Sequence, residues 1–448
     1  MVLSLAHVFV GLLKPSRAQT EITHFVQRPP SSRKIEEIDK QVIKMIAKGH
    51  HALRMVEEPE FRELIRMVSH CPNYELLSRK KLSESLLSKI YNEYTEKIKI
   101  KLNKAQAVCV TTDAWTSRNN ESYIALMAHY IDDNSKLCSS TLGCIQYTER
   151  HTSENLCTFL KETMNHWQIS HKIVAVVSDN APNIISAIRM GNWRSIGCFA
   201  HLINLVVQRA TEQISDTLVK VKSIVEYFKR SSQGLHKLQE SQRQMNLPLL
   251  KLKQDVPTRW NWTYEMLDRV VTIKDAVITT IALTRNDLSL QQEDWSIIEE
   301  VLPLLLPFYE VTTEISAEKN VTLSKVIVMY KMIERILAKS SANHSKVQAV
   351  LEVLKKEMNA RFQNIENNIL FAECTVLDPR FKKRGFKNAD CFEKAVQGLR
   401  NKVGSGQIPH KNEANDSFDG NGPPSAPPTS TKSIWEEYDE TAGLKIKK

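Results

Sequence analysis

Two short apolar runs, each closed by an aspartate, constrain the fold of this chain more than any other feature. They are Ala107-Val108-Cys109-Val110-Thr111-Thr112-Asp113 and Lys172-Ile173-Val174-Ala175-Val176-Val177-Ser178-Asp179. Each is continuous in β-branched or apolar residues and bounded by polar ones, the pattern of a strand covered by helices on both faces. After the second run, Ser178-Asp179-Asn180-Ala181-Pro182-Asn183 turns into a helix start, with Pro182 at an early helical position. The pattern predicts strands over 106–112, 121–131, 136–147, 172–178 and 195–199, and helices over 153–167, 182–190 and 201–212. The first three strands then form a meander. A helix-linked strand pairs beside the first, which brings Asp113 and Asp179 together from distant positions.

Carboxylates at neighbouring strand ends suit a hard divalent ion such as Mg²⁺ or Mn²⁺, with phosphate oxygens and water completing its shell. The plainer alternative makes Asp113 a turn residue and Asp179 a helix N-cap, and the residues alone leave both open.

Five short motifs follow one another in order: Thr112-Asp113-Ala114-Trp115-Thr116-Ser117, Ser178-Asp179-Asn180-Ala181, Cys198-x-x-His201-x-x-Asn204, Asp255-Val256-Pro257-Thr258-Arg259-Trp260-Asn261 and Leu377-Asp378-Pro379-Arg380-Phe381-Lys382. Together they resemble the signature of hAT-superfamily transposases, and most of all their domesticated relatives, the BED-type zinc finger proteins. The resemblance covers roughly residues 35 to 400. It implies an α/β plus α fold, an RNase H-like mixed sheet with flanking helices interrupted by a large all-helical insertion domain. It also implies that Asp113 and Asp179 match the first two members of a DDE metal-binding triad, and that His201 matches a histidine near the catalytic centre. Trp260 falls in a motif of the insertion domain.

The chain departs from the family in three places. No C-x-x-C…H-x₃₋₅-H pattern occurs, so no zinc finger site is expected. The wording Ser-x-x-x-Glu-Arg-x-Phe-Ser, which carries the family's third glutamate within its dimerisation segment, is absent, and Glu436 and Glu437 do not match it. His51-Ala52-Leu53-Arg54-Met55-Val56-Glu57 replaces the usual Pro-Phe-Ser-x-Val-Glu. Loss of strand cleavage is expected from the missing glutamate, because two-metal phosphoryl transfer needs both ions clamped about 3.5–4 Å apart.

Outside these motifs the chain supplies helices and linkers. Met1 to Leu13 is apolar but lacks a charged n-region and a small-x-small cleavage site, so secretion is not expected. Pro15, Pro29 and Pro30 mark a linker. Ile35, Ile38, Val42, Ile43 and Ile46 recur at helical spacing, Phe61 to Val68 forms a second helix, and Leu86, Ile90, Tyr94 and Ile98 mark a third. Stripes from Leu205 to Phe228 and from Leu302 to Met358 predict a helix-packing core, with Pro303 and Pro307 breaking or kinking one helix. Glycine, serine and proline dominate Gly404 to Lys432, a disordered tether, and Ile434-Trp435-Glu436-Glu437-Tyr438 opens a new element. The expected organisation is an unstructured segment 1–33, a helical DNA-contacting segment 34–104, an incomplete RNase H-like core 105–212, a helical insertion 213–403, a linker 404–432 and the start of a truncated element at 433–448.

The formal charge of +10 and a pI near 9.0 favour an anionic partner. Eight scattered cysteines without a C-x-x-C pair fit a reducing compartment, and no stretch is long enough for a membrane helix. DNA is the expected partner, with Arg79, Lys80, Lys81, Arg259 and Trp260 as candidate contacts. For Trp260 the alternative is a buried anchor between helices, and for the basic residues a solvated helix face. The basic run Lys382-Lys383-Arg384-Gly385-Phe386-Lys387 suits phosphate contact or nuclear import, or is neutral surface. Three functional readings stand. The first is a catalytically silent nuclear protein acting by DNA binding, transcription regulation or protein contacts. The second is a DDE-type metal-dependent transposase or nuclease, and the third a helical protein-interaction scaffold.

Overall fold

Apolar residues at helical spacing build the N-terminal part and an alternation of strands and helices builds the middle, so the chain divides into two compact units, Met1–Asn103 and Lys104–Lys448. The computed structural model describes residues 31–69, 74–317, 321–404 and 433–435. The expectations for the apolar start, the first part of the linker, the glycine- and proline-rich tether and the residues after Trp435 lie outside the described residues.

The first unit opens with α1 (Ser32–Gly49), where the Ser31 hydroxyl accepts from the Lys34 N–H and His50 closes the helix in the left-handed region. It continues through α2 (Pro59–Val68) and the helical turn α3 (Arg79–Lys81), which leads by a π-helical turn (Leu82–Leu86) into α4 (Leu87–Lys104). Its core joins Val42, Ile43 and Ile46 of α1 to Val56, Tyr74, Leu82 and Ile90. Inside it the Tyr74 hydroxyl donates to Asp39, a carboxyl that burial pushes above its usual range.

The second unit contains a five-stranded sheet of β1 (Val108–Thr116), β2 (Ser122–Ile131), β3 (Leu137–Gln146), β4 (Ile173–Ser178) and β5 (Ser195–Gly197), in the order β3-β2-β1-β4-β5. The three leading strands run antiparallel, and β4 and β5 add parallel to the other side of β1. The connections are α5 (Ser153–His166) and α6 (Pro182–Met190), and α7 (Phe199–Thr211) leaves the last strand. This mixed sheet with flanking helices is the predicted fold class. One detail differs. The first strand does not end at Asp113 but runs on to Thr116, because β2 pairs with it as far as Thr116↔Ser122. Asp113 therefore sits within a strand, opposite Ala125, and is no turn residue.

Beyond the sheet the unit is helical: α8 (Ser215–Arg230), α9 (Ser232–Gln244), α10 (Trp260–Thr272), α11 (Lys274–Thr284), α12 (Gln292–Ile315), α13 (Val326–Lys339), α14 (Ser345–Phe362), α15 (Ile369–Leu377) and α16 (Ala389–Gly404). Pro303 and Pro307 do not end their helix. α12 passes through both, held by the burial of Val301, Leu304, Leu305, Phe308 and Val311. The sheet joins this core through Ala175 of β4 and Ile196 of β5, which pack in the same cluster as Phe199 at the start of α7 and the other helices.

Candidate functional site

Side chains alternate along β1, so Val108, Val110 and Thr112 are buried while Cys109, Thr111, Asp113 and Trp115 point to the other face. Thr111 lies level with Val177 of the parallel strand β4, and each aspartate follows two residues further along its own chain. That register delivers Asp113 and Asp179 to the same cleft, a cavity of about 350 Å³ whose lining also includes Trp115, Ser122, His151 and Asn183. The Cys198 thiol reports the convergence independently. Burial raises it first, the N–H groups of His201 and Ala200 oppose that, and the charges of Asp113 and Asp179 both raise it further.

Local bonding fixes the walls. The Cys198 N–H donates to the Ser178 carbonyl at 2.7 Å, which ties the start of α7 to the end of β4. Gly197 has no side chain for a reason: a Cβ there would lie 2.1 Å from Asn180 Oδ1. Asp179 Oδ1 accepts from the Ala181 N–H at 3.3 Å, the bond of an Asx turn; the N-cap of α6 is Ala181, so Asp179 is not the helix cap of the plainer reading. The Asn183 amide donates to the His151 carbonyl at 2.9 Å and joins the start of α6 to the loop after β3. His151 Nε2 in turn meets Ser122 Oγ at 2.9 Å. On β1 and β2, Trp115 and Tyr123 stack at 5.9 Å between ring centroids and 17° between planes, with Trp115 43% exposed.

The structure places the predicted residues unevenly. Asp113 and Asp179 share the cleft. His201 sits half-buried in the first turn of α7 and is not among the residues lining the cleft. Arg79, Lys80 and Lys81 are exposed in the first turn of the long helix of the other unit. Arg259 is exposed as the N-cap of α10. Trp260 is corrected: it is 3% exposed, enclosed edge-on by Tyr264 and Tyr309, and neither ring face is open to a base. It is the buried anchor of the alternative reading. Its backbone N–H donates to Asn204 Oδ1 at 3.0 Å, and Gln208 Nε2 donates to the Pro257 carbonyl at 2.9 Å. Two motifs far apart in sequence thus meet as one helix junction.

Trp115 and His151 are site residues that the sequence reading did not single out. Trp115 had a signal, since it follows Asp113 at the strand period. His151 had none, because only the turn after β3 brings it to the cleft. As donors, Asp113 and Asp179 are of the right chemistry for a hard divalent ion and fill only part of its shell. Among the described residues no group of three His, Cys, Asp or Glu side chains is placed to hold a metal.

Comparison with known proteins gives two adjoining matches. A family model described as the ZBED1 RNase-like domain matches residues 111–190, and one described as the ZBED1 RNase-like helical domain matches residues 196–304. Similar curated proteins include human zinc finger BED domain-containing protein 4, 26% identical over 80% of this chain and 31% of that protein. The putative AC transposase of Zea mays is 27% identical over 74% of this chain and 43% of its own length. The putative transcriptional regulator tpeD of Talaromyces stipitatus is 25% identical over 78% and 45%. The matched region thus spans less than half the length of each of these relatives.

Proposed function

The chain belongs to the family of BED-type zinc finger proteins and hAT-type transposases, and from that premise we propose that it is a nuclear, transposase-derived protein that binds DNA without cutting it. Regulation of transcription is the use this reading favours, in line with the name of the fungal relative. One observation supports the reading: Asp113 and Asp179 line one cleft, and among the described residues they are its only lining carboxylates. Those two side chains would hold one Mg²⁺ or Mn²⁺, and a metal bound there would neutralise phosphate charge. The remaining residues act without it. Exposed Trp115, stacked on half-buried Tyr123, offers a flat apolar wall, and Thr112, Thr116 and Ser122 are neutral polar residues of the cleft lining. The net charge of +10 draws the phosphate backbone from a distance.

Calorimetric titration of Mn²⁺ into the full chain and into Asp113→Ala/Asp179→Ala tests the metal half of the reading. Binding should be present in the first and lost in the second. Equal heats in both would mean that the carboxylates hold no ion. The second reading, a DDE-type nuclease, is favoured by the parallel register of β1 and β4, which leads both aspartates to one cleft. Single-turnover incubation with a labelled duplex and Mn²⁺ separates the two: strand scission abolished by the double substitution would replace the binding reading with the catalytic one. A salt-independent or absent DNA affinity would favour the scaffold reading instead.

A further inference from the structure

We propose that the turn Phe381–Phe386 is a preformed phosphate-contacting surface for DNA, with Lys382, Lys383 and Arg384 as its contacts; it rests on the DNA-binding reading and names a surface for it. The three side chains are exposed on a short 3₁₀ turn between α15 and α16. A charge run on a surface usually means only a solvated face. What sets this one apart is how firmly its backbone is held beneath the charges.

Asp378 organises the entry. Its carboxylate takes the Ser324 hydroxyl at 2.7 Å and the Arg380 guanidinium at 2.9 and 2.7 Å, and its carbonyl accepts from the N–H groups of Phe381 and Lys382. Arg380 is thereby spent on the fold, and its charge holds Asp378 down at about 2. Phe381 and Phe386 are buried at either end of the turn. Gly385 leaves no slack, since a Cβ there would lie 2.5 Å from Thr375 Cγ2. From below, Lys331, itself 9% exposed, donates to the Arg384 carbonyl at 3.2 Å. Lys382 adopts φ 45°, a left-handed conformation that a lysine takes only where its surroundings hold it there.

Two carboxylates beside the turn are already engaged. Glu334 holds Lys387, and Glu366 accepts the backbone N–H groups of Lys387 and Asn388. Among the described residues no carboxylate pairs with Lys382, Lys383, Arg384 or the neighbouring exposed Arg335. Exposed cations on a backbone held rigid fit the evenly spaced phosphates of a duplex, because little backbone freedom remains to be lost on binding.

The test is fluorescence anisotropy of a labelled duplex titrated with the full chain over a range of salt concentrations. The variants are Lys382→Gln/Lys383→Gln/Arg384→Gln and, as a control of equal charge, Lys237→Gln/Arg243→Gln/Lys356→Gln, all at exposed positions. The first should bind at least roughly tenfold more weakly and lower the slope of log affinity against log salt by about 2 to 3, at about 0.9 per phosphate contact. The control should change neither by a comparable amount. An unchanged slope in the first variant, or an equal fall in both, overturns the proposal. So does DNA affinity left intact with nuclear accumulation lost, which would assign the turn to an import receptor. If the unaltered chain itself binds no DNA, the failure belongs to the underlying functional reading and not to the placement of the surface.

Discussion

At the residue scale the cleft depends on what is missing as much as on what is present. Gly197 faces Asn180 so closely that its Cβ would sit 2.1 Å from Oδ1, and Asn180 follows directly on Asp179. Gly197→Ala is therefore expected to cost about 1–3 kcal/mol as the crowded strand ends shift apart. Gly404→Ala meets nothing within 4 Å at the end of α16 and should be neutral or slightly stabilising. Urea unfolding of the two variants checks this, and equal midpoints would show that Asn180 yields without strain. The motif residues divide on the same principle. Asp113 was legible because a carboxylate within an otherwise apolar strand has no packing role. Trp260 was ambiguous in sequence because an aromatic beside an arginine reads equally as a stacking surface or as core, and only burial separates the two.

At the scale of elements, the structure brings two motifs far apart in sequence into contact. Asn204 on α7 accepts from the Trp260 N–H at the start of α10, where the N-cap Arg259 makes no side-chain cap of its own. Nearby, Asp255 is clamped by Lys222 at 2.7 Å and by the Thr263 hydroxyl at 2.7 Å. Asn204→Ala removes an acceptor from a part-buried helix start and should destabilise by about 1 kcal/mol, whereas Asn204→Asp keeps an acceptor and should lose less. Matched denaturation curves decide between them, and identical losses would mean that the amide acts by shape alone. The prolines of α12 teach the opposite lesson. Local propensity predicts a break or a kink at Pro303 and Pro307, and buried residues on both sides of them keep the helix continuous.

On the scale of the molecule, each unit has a core of its own. The first packs α1, α2 and α4 around residues such as Val56 and Leu82, and the second continues from the sheet into the helices through Ala175, Ile196 and Phe199. A chain beginning at Lys104 is therefore expected to fold by itself. Expression of residues 104–448 with a cooperative thermal transition would bear this out, and a fragment without one would show that the sheet needs the preceding helices. The Trp435 ring stacks on Phe381 at 6.3 Å, so residues near the end of the chain also enter the second core.

The sequence by itself determined the element string of the sheet and the identity of its two carboxylates. Strand and helix periods are local, and an aspartate closing an apolar run is visible without any partner. It also carried the resemblance to BED-type zinc finger proteins and hAT-type transposases, because five short motifs follow one another in order. Tertiary structure decided the rest. Pairing with β2 carries β1 past Asp113. The turn after β3 brings His151 to the cleft, and packing against Tyr264 and Tyr309 buries Trp260. The hold of Asp378, Gly385 and Lys331 makes a platform of what otherwise reads as an ordinary basic run. Each of these depends on which residues from distant parts of the chain become neighbours, and no local pattern of hydrophobicity, charge or turn chemistry encodes that.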